Sequence, residues 1–189
     1  MTRFTKKIHG CTQAIGFLPA AVVLTALALA GCAGGEARSK PARISASSIS
    51  VPEAVQETPL SRALLAEINS RRPDAPLTAD AVLTRAAAAH SKDMTARGYL
   101  NHHSPEGYGP LERVRAANPE FQGQVAENLG EFQFKPGDSD AQKAEYMVDK
   151  WMNSPSHAIH LRARNYTRTG IGIAQSGGKT YVTQLFTGP

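Results

Sequence analysis

TGIGIAQSGGKTYVTQLF, residues 169–186, is the stretch that decides the fold. Residues 169–175 and 180–186 are rich in β-branched and aromatic side chains, and Ser176-Gly177-Gly178-Lys179 separates them. Two such runs around a glycine pair predict a β-hairpin. Upstream, residues 125–132 read as a further strand. The chain before and between these strands changes to helical periodicity. Thr58-Pro59 supplies a cap and a proline at the first helical position, and Leu60, Leu64 and Ile68 then share one face. A second helix is expected after Thr78, with Val82, Leu83, Ala86, Ala87, His90 and Met94 as its apolar stripe and Gly98 as its stop. Its alanine run predicts close packing on a neighbour. A short helix is expected after Pro110, with Leu111 and Val114 inward. Ser139 and Gln142 have capping-box spacing ahead of a helix whose inner face is Ala144, Met147, Val148 and Trp151. Ser154-Pro155 opens another short helix. Helices flanking a small, largely antiparallel sheet, with no repeating βαβ pattern, define an α+β fold.

The N-terminal segment has the parts of an export signal. Arg3, Lys6 and Lys7 precede an apolar run over 14–30, interrupted only by Gly16, Pro19 and Thr25. The run ends in Leu29-Ala30-Gly31-Cys32, which resembles the bacterial lipobox. That resemblance implies cleavage before Cys32 and diacylglyceryl modification of its thiol. The rival reading is an uncleaved membrane anchor, because about 18 apolar residues nearly span a bilayer. Residues 1–31 are therefore expected as a lipoprotein signal, 32–57 as a lipid-anchored flexible tether rich in Ala, Ser, Gly and Pro, and 58–189 as one domain. Ala33, with no aspartate after Cys32, is consistent with outer-membrane sorting where an outer membrane exists. The chain has two cysteines, Cys11 in the signal and Cys32 at the anchor. The folded domain is thus left without a disulfide or a cysteine nucleophile. Three of the 21 basic residues leave with the signal, so 18 face 16 acids and the net charge falls from +5 to +2. That balance argues against nucleic acid as a partner.

Three segments, GYLNHHSPEG (98–107), AENL (126–129) and WMNSPSH (151–157), stand in an order and spacing that resemble the CAP superfamily, and its bacterial disulfide-free branch in particular. Gly170-Ile171-Gly172 and Gln184-Leu185-Phe186 add to the likeness, which covers 58–189. The resemblance implies an α-β-α sandwich with a central groove. It carries two groove histidines over to His102 and His157 and a groove acid to Glu127. Ser154 stands where the family's second acid is expected, which puts any activity needing both acids in doubt.

Two imidazoles and a carboxylate have three readings. They could form a hydrogen-bond network, hold zinc or another divalent cation through His102 and His157, or work as a catalytic set with Glu127 as base on a metal-bound water. The first turn of a helix should keep His157 neutral. His160, one turn on, is read as packing, His90 as a core histidine, Trp151 as core, and Asn128 as a structural bond to nearby backbone. Arg162, Arg164 and Arg168 beside Tyr166 are read as a solvated face, with a basic patch for anionic polymer as the alternative. The functional expectation is a monomeric, extracytoplasmic protein held to a membrane through acylated Cys32. Its groove would bind a lipid, glycan or cell-wall ligand. The rival functions are a metal-assisted hydrolase and a purely structural envelope protein.

Overall fold

A computed structural model describes residues 49–189; the signal, Cys32 and most of the tether lie outside the described residues. The elements run α1 (Pro59–Ser70), β1 (Thr78–Ala79), α2 (Ala81–Arg97), α3 (Pro110–Ala117), β2 (Ala126–Phe132), α4 (Asp140–Met152), α5 (Pro155–Arg162), β3 (Arg168–Ser176) and β4 (Lys179–Thr187).

The helix starts follow from side chains that satisfy first-turn N–H groups. Thr58 accepts from Ser61 N at 3.0 Å while Ser61 Oγ accepts from Thr58 N at 2.9 Å. Ser139 and Gln142 form the reciprocal pair expected from their spacing. For α2 the cap is Asp80, which accepts from Leu83 N at 3.0 Å, and not Thr78. Thr78 and Ala79 are drawn into the sheet, pairing parallel with Arg168 and Thr169. Gly98 ends α2 at φ 67°, the left-handed conformation that favours glycine.

The sheet order is β1-β3-β4-β2. Both long pairings, β3–β4 and β2–β4, are antiparallel, and the two-residue β1 contact makes the sheet mixed. The β3–β4 turn places Gly177 and Gly178 both at positive φ, as a tight primed hairpin turn requires.

Each face of the sheet carries its own layer. On one side α2 lies against β3 and β4. A Cβ at Gly170 would collide with the Leu83–Thr84 backbone, and one at Gly172 with the Ala87–Ala88 backbone. The Gly-Ile-Gly pattern therefore admits the helix, and the alanines of α2 are the matching surface. Ser91 Oγ then donates to Gly172 O at 2.9 Å, and it lies 2.9 Å from Thr183 Oγ1. On the other side Leu60, Leu64 and Ile68 of α1 pack with Ala144, Met147, Val148 and Trp151 of α4. Leu161, Phe132, Ile171, Val182 and Phe186 complete that core. The result is the expected α+β sandwich. In α3, Val114 is buried, but Leu111 is only half-buried and Arg113 is the second inward residue.

Glu53, Ala54, Val55 and Glu57 share a surface concavity with Ala79–Ala81, Thr84 and Arg85. Ile49 and Ser50 line another with Ala89, His90, Asp93 and Arg97. The last residues of the tether thus lie beside α2.

Candidate functional site

β2 is an edge strand, so one side of its backbone faces outward from the sheet. Its successive side chains point to opposite faces. Glu127 turns to α3 and Asn128 to α5. The two layers meet at this edge, and the sequence-predicted site residues gather there.

Glu127 is buried and both of its oxygens are engaged. Oε1 lies 2.8 Å from His102 Nδ1, and Oε2 accepts from Arg113 Nη2. Arg113 Nη1 also donates to the backbone oxygens of His102 and Tyr108, each at 2.9 Å. The Glu127 and Arg113 side chains are 1% and 3% exposed, whereas that of His102 is 52% exposed. One buried guanidinium therefore fixes the loop that carries His102 and the carboxylate that orients its ring. Sequence reasoning missed Arg113, because an arginine in a short amphipathic helix reads as a solvated residue. The signal available was Glu127, an acid inside an apolar strand that needs a cation when buried.

His157 is set differently. Its Nδ1 lies 2.7 Å from Ser154 Oγ, and Ser156 Oγ lies 3.2 Å from the same hydroxyl. The ring stacks on Trp151, with centroids 6.5 Å apart and planes 25° apart. Trp151 Nε1 donates to the Leu129 carbonyl at 3.0 Å, satisfying an edge group of β2. Burial holds the His157 pKa below its ordinary value. His102 and His160 add to that, while the Leu129 carbonyl opposes it. The neutral state expected from the helix end is supported, with burial as the leading cause. Ser154 sits at the N-cap position of α5, but its hydroxyl is used on His157.

Asn128 Nδ2 donates to the His157 carbonyl at 3.2 Å, the structural role expected of it. His160 packs against Tyr166 and Phe186, with ring centroids 6.2 and 6.1 Å away. His90 is buried in α2, with Nε2 2.9 Å from the Asn101 carbonyl, and burial lowers its pKa to about 4. The three arginines near Tyr166 do not form a free basic patch. Arg164 pairs with Asp74, Arg168 pairs with Asp80, and Arg162 reaches the Met152 carbonyl. Arg113 and His90 also line a cavity of about 380 Å³ with Asp93, Arg97, Glu106 and Tyr108; His102 and His157 do not.

The description "Cysteine-rich secretory protein family" (CAP) matches residues 63–186. The chain belongs to the CAP family. Among its relatives, the uncharacterized protein YkwD of Bacillus subtilis is 31% identical over 113 residues, covering 60% of this chain and 40% of YkwD. The CAP domain here thus matches less than half the length of that relative. An outer surface protein of Borrelia burgdorferi superposes with a TM-score of 0.58 at 19% identity, covering 71% of this chain and 96% of the Borrelia chain. An extracellular protein with an SCP domain from Bacillus anthracis superposes with a TM-score of 0.50 at 23% identity, covering 72% of this chain and 45% of the other. At these identities the superpositions speak for the fold.

The CAP positions His102 and Glu127 are bonded to each other, and His102 is among the groups that lower the His157 pKa. These residues offer a divalent cation two imidazole nitrogens and no second carboxylate. Glu127 is bonded through both oxygens, Ser154 holds the second acid's place and bonds His157 Nδ1, and the second ring nitrogen of His102 and of His157 is left as a candidate ligand. Among the described residues, no group of three or more His, Cys, Asp or Glu side chains converges as a metal site. A structural zinc site takes about four ligands, and a catalytic one about three from protein.

Proposed function

We propose that this CAP protein is exported, anchored to a membrane through Cys32, and binds a hydroxyl-rich ligand of the cell envelope, a cell-wall glycan, in the groove at the β2 edge. One observation carries the binding reading. The Glu127 carboxylate, the residue best suited to act as a general base, is committed on both oxygens to Arg113 and His102. What the groove offers a visitor is a set of hydrogen-bonding groups: the exposed His102 ring, the hydroxyls of Ser154 and Ser156, and His157. Such a surface suits sugar hydroxyls better than an acyl chain. The lipobox-like sequence supports the anchor, and the names of the superposable relatives, an outer surface protein and an extracellular protein, support the location. Among the described residues no helix is long and apolar enough to cross a membrane.

Two measurements test this. Intact mass of the protein from membranes should show cleavage before Cys32 and added acyl chains, with Cys32→Ser released from the membrane. Equilibrium binding of the full-length protein in detergent to soluble glycan fragments and to lipid vesicles should be saturable for glycan, and His102→Ala should weaken it at least tenfold. An unmodified Cys32 would overturn the anchor. Saturable binding to vesicles alone, or glycan binding indifferent to His102, would overturn the ligand class.

A further inference from the structure

The geometry points to Ser154 as an activated hydroxyl with His157 as its base, a pair able to take an acyl group from an ester. Three features of the groove support it. First, Ser154 Oγ and His157 Nδ1 are 2.7 Å apart, the reach of a nucleophile and its general base. Second, the ring is oriented. It lies against Trp151, whose own indole N–H is tied to the Leu129 carbonyl. With the ring proton on Nε2, Nδ1 is the lone pair facing Ser154. The indole thereby takes the orienting part that a carboxylate plays in a serine triad. Third, Ser154 is half-exposed and stands at the N-cap of α5. The positive end of that helix favours negative charge developing on an attacked carbonyl oxygen. This is the position at which the family resemblance leads one to expect an acid.

The chemistry closes without a cofactor. Ser154 Oγ–H passes its proton to His157 Nδ1 as Oγ bonds to the ester carbonyl carbon. The carbon–oxygen bond to the alcohol breaks, and the departing alkoxide takes the proton back from Nδ1. Water then attacks the acyl-serine, gives a proton to Nδ1, and releases the carboxylic acid while Oγ recovers its hydrogen. The sum is ester plus water giving acid plus alcohol. With a neutral orienting group in place of an acid, the pair suits esters and not amides.

The experiment uses the full-length protein in detergent with a fluorophosphonate probe and with p-nitrophenyl acetate. The expected result is one probe adduct, located by peptide mass spectrometry on Ser154. Ser154→Ala should abolish the adduct, and Ser176→Ala in the hairpin turn should retain it. His157→Gln should slow labelling and ester turnover by about 10²-fold, the usual worth of a general base. A circular dichroism spectrum and melting curve like those of the wild type establish that the variant is folded. No adduct on Ser154, an adduct on another serine, or unchanged labelling in a folded His157→Gln would each overturn the assignment. Labelling of Ser154 does not require glycan binding, so this inference and the ligand proposal fail separately.

Discussion

The two faces of the sheet are covered by different physics. On the α2 face the helix touches strand backbone through Gly170 and Gly172, and at the groove end a buried ion pair, Arg113–Glu127, closes the layer. On the α1/α4/α5 face aliphatic and aromatic side chains fill the space, with Trp151, Phe132 and Phe186 among them. Each face then delivers one histidine to the β2 edge. His102 arrives on an ionic lock, and His157 arrives on a hydroxyl and an indole. Similar imidazole positions are thus held by unlike means, with unlike consequences when the support is removed.

The largest effects should come from those supports. Arg113→Ala leaves Glu127 buried without its main counter-charge and should destabilise by about 3–5 kcal/mol. Trp151→Ala should cost a similar amount, about 3–5 kcal/mol, by opening a cavity. The two differ in rescue. Glu127→Gln added to Arg113→Met should restore most of the loss, because the remaining groups are neutral. No polar change should rescue Trp151→Ala. Urea unfolding of the single and double variants checks this, and equal non-rescue on both faces would break the comparison.

Next in size is Gly172→Ala. Its Cβ would meet the Ala87–Ala88 backbone, and a backbone cannot rotate away as a side-chain tip can. A loss of about 1–3 kcal/mol is expected, the usual cost of overpacking. Gly137→Ala, where a Cβ meets nothing within 4 Å but φ is 89°, should cost only the backbone strain.

The pH dependence draws on histidines of both faces, with His90 the most strongly shifted. His90 protonates at about 4 in the folded protein and near 6.5 when unfolded. Between those values the unfolded chain binds the extra proton. The stability from a neutral His90 is therefore complete above pH 6.5 and is lost as pH falls toward 4, by about 3 kcal/mol. His157 and His160 on the other face shift in the same direction. Unfolding free energies at pH 7.5 and pH 4.5 should differ less in His90→Gln, which can keep a donor on the Asn101 carbonyl. An unchanged difference would mean that His90 is not the main source.

Much of this was legible in the sequence where one local rule decides the outcome. Thr58-Pro59, Ser139 with Gln142, and the Gly177-Gly178 turn each did so. The Gly-Ile-Gly strand and the alanine run of α2 also agreed with each other, and the structure shows them in contact. What could not be read depends on partners distant in sequence. β1 is two residues long and exists because Arg168 and Thr169 are beside it. That pairing moved the α2 cap from Thr78 to Asp80. Arg113 is buried because Glu127 lies across the layer boundary from it. The site shows the same division. The segments around His102, Glu127 and His157 were recognisable, but the partners that tune them, Arg113 and the Ser154 hydroxyl, became visible only in three dimensions.

The central claim is that the groove binds ligand while Glu127 serves as a lock. Titration calorimetry of a soluble cell-wall glycan fragment into full-length wild type, Glu127→Gln and His102→Ala tests it directly. The account predicts saturable binding to the wild type, affinity within about threefold for a folded Glu127→Gln, and at least a tenfold loss for His102→Ala. Absent binding in the wild type, or catalytic turnover of the glycan that Glu127→Gln abolishes, would contradict it.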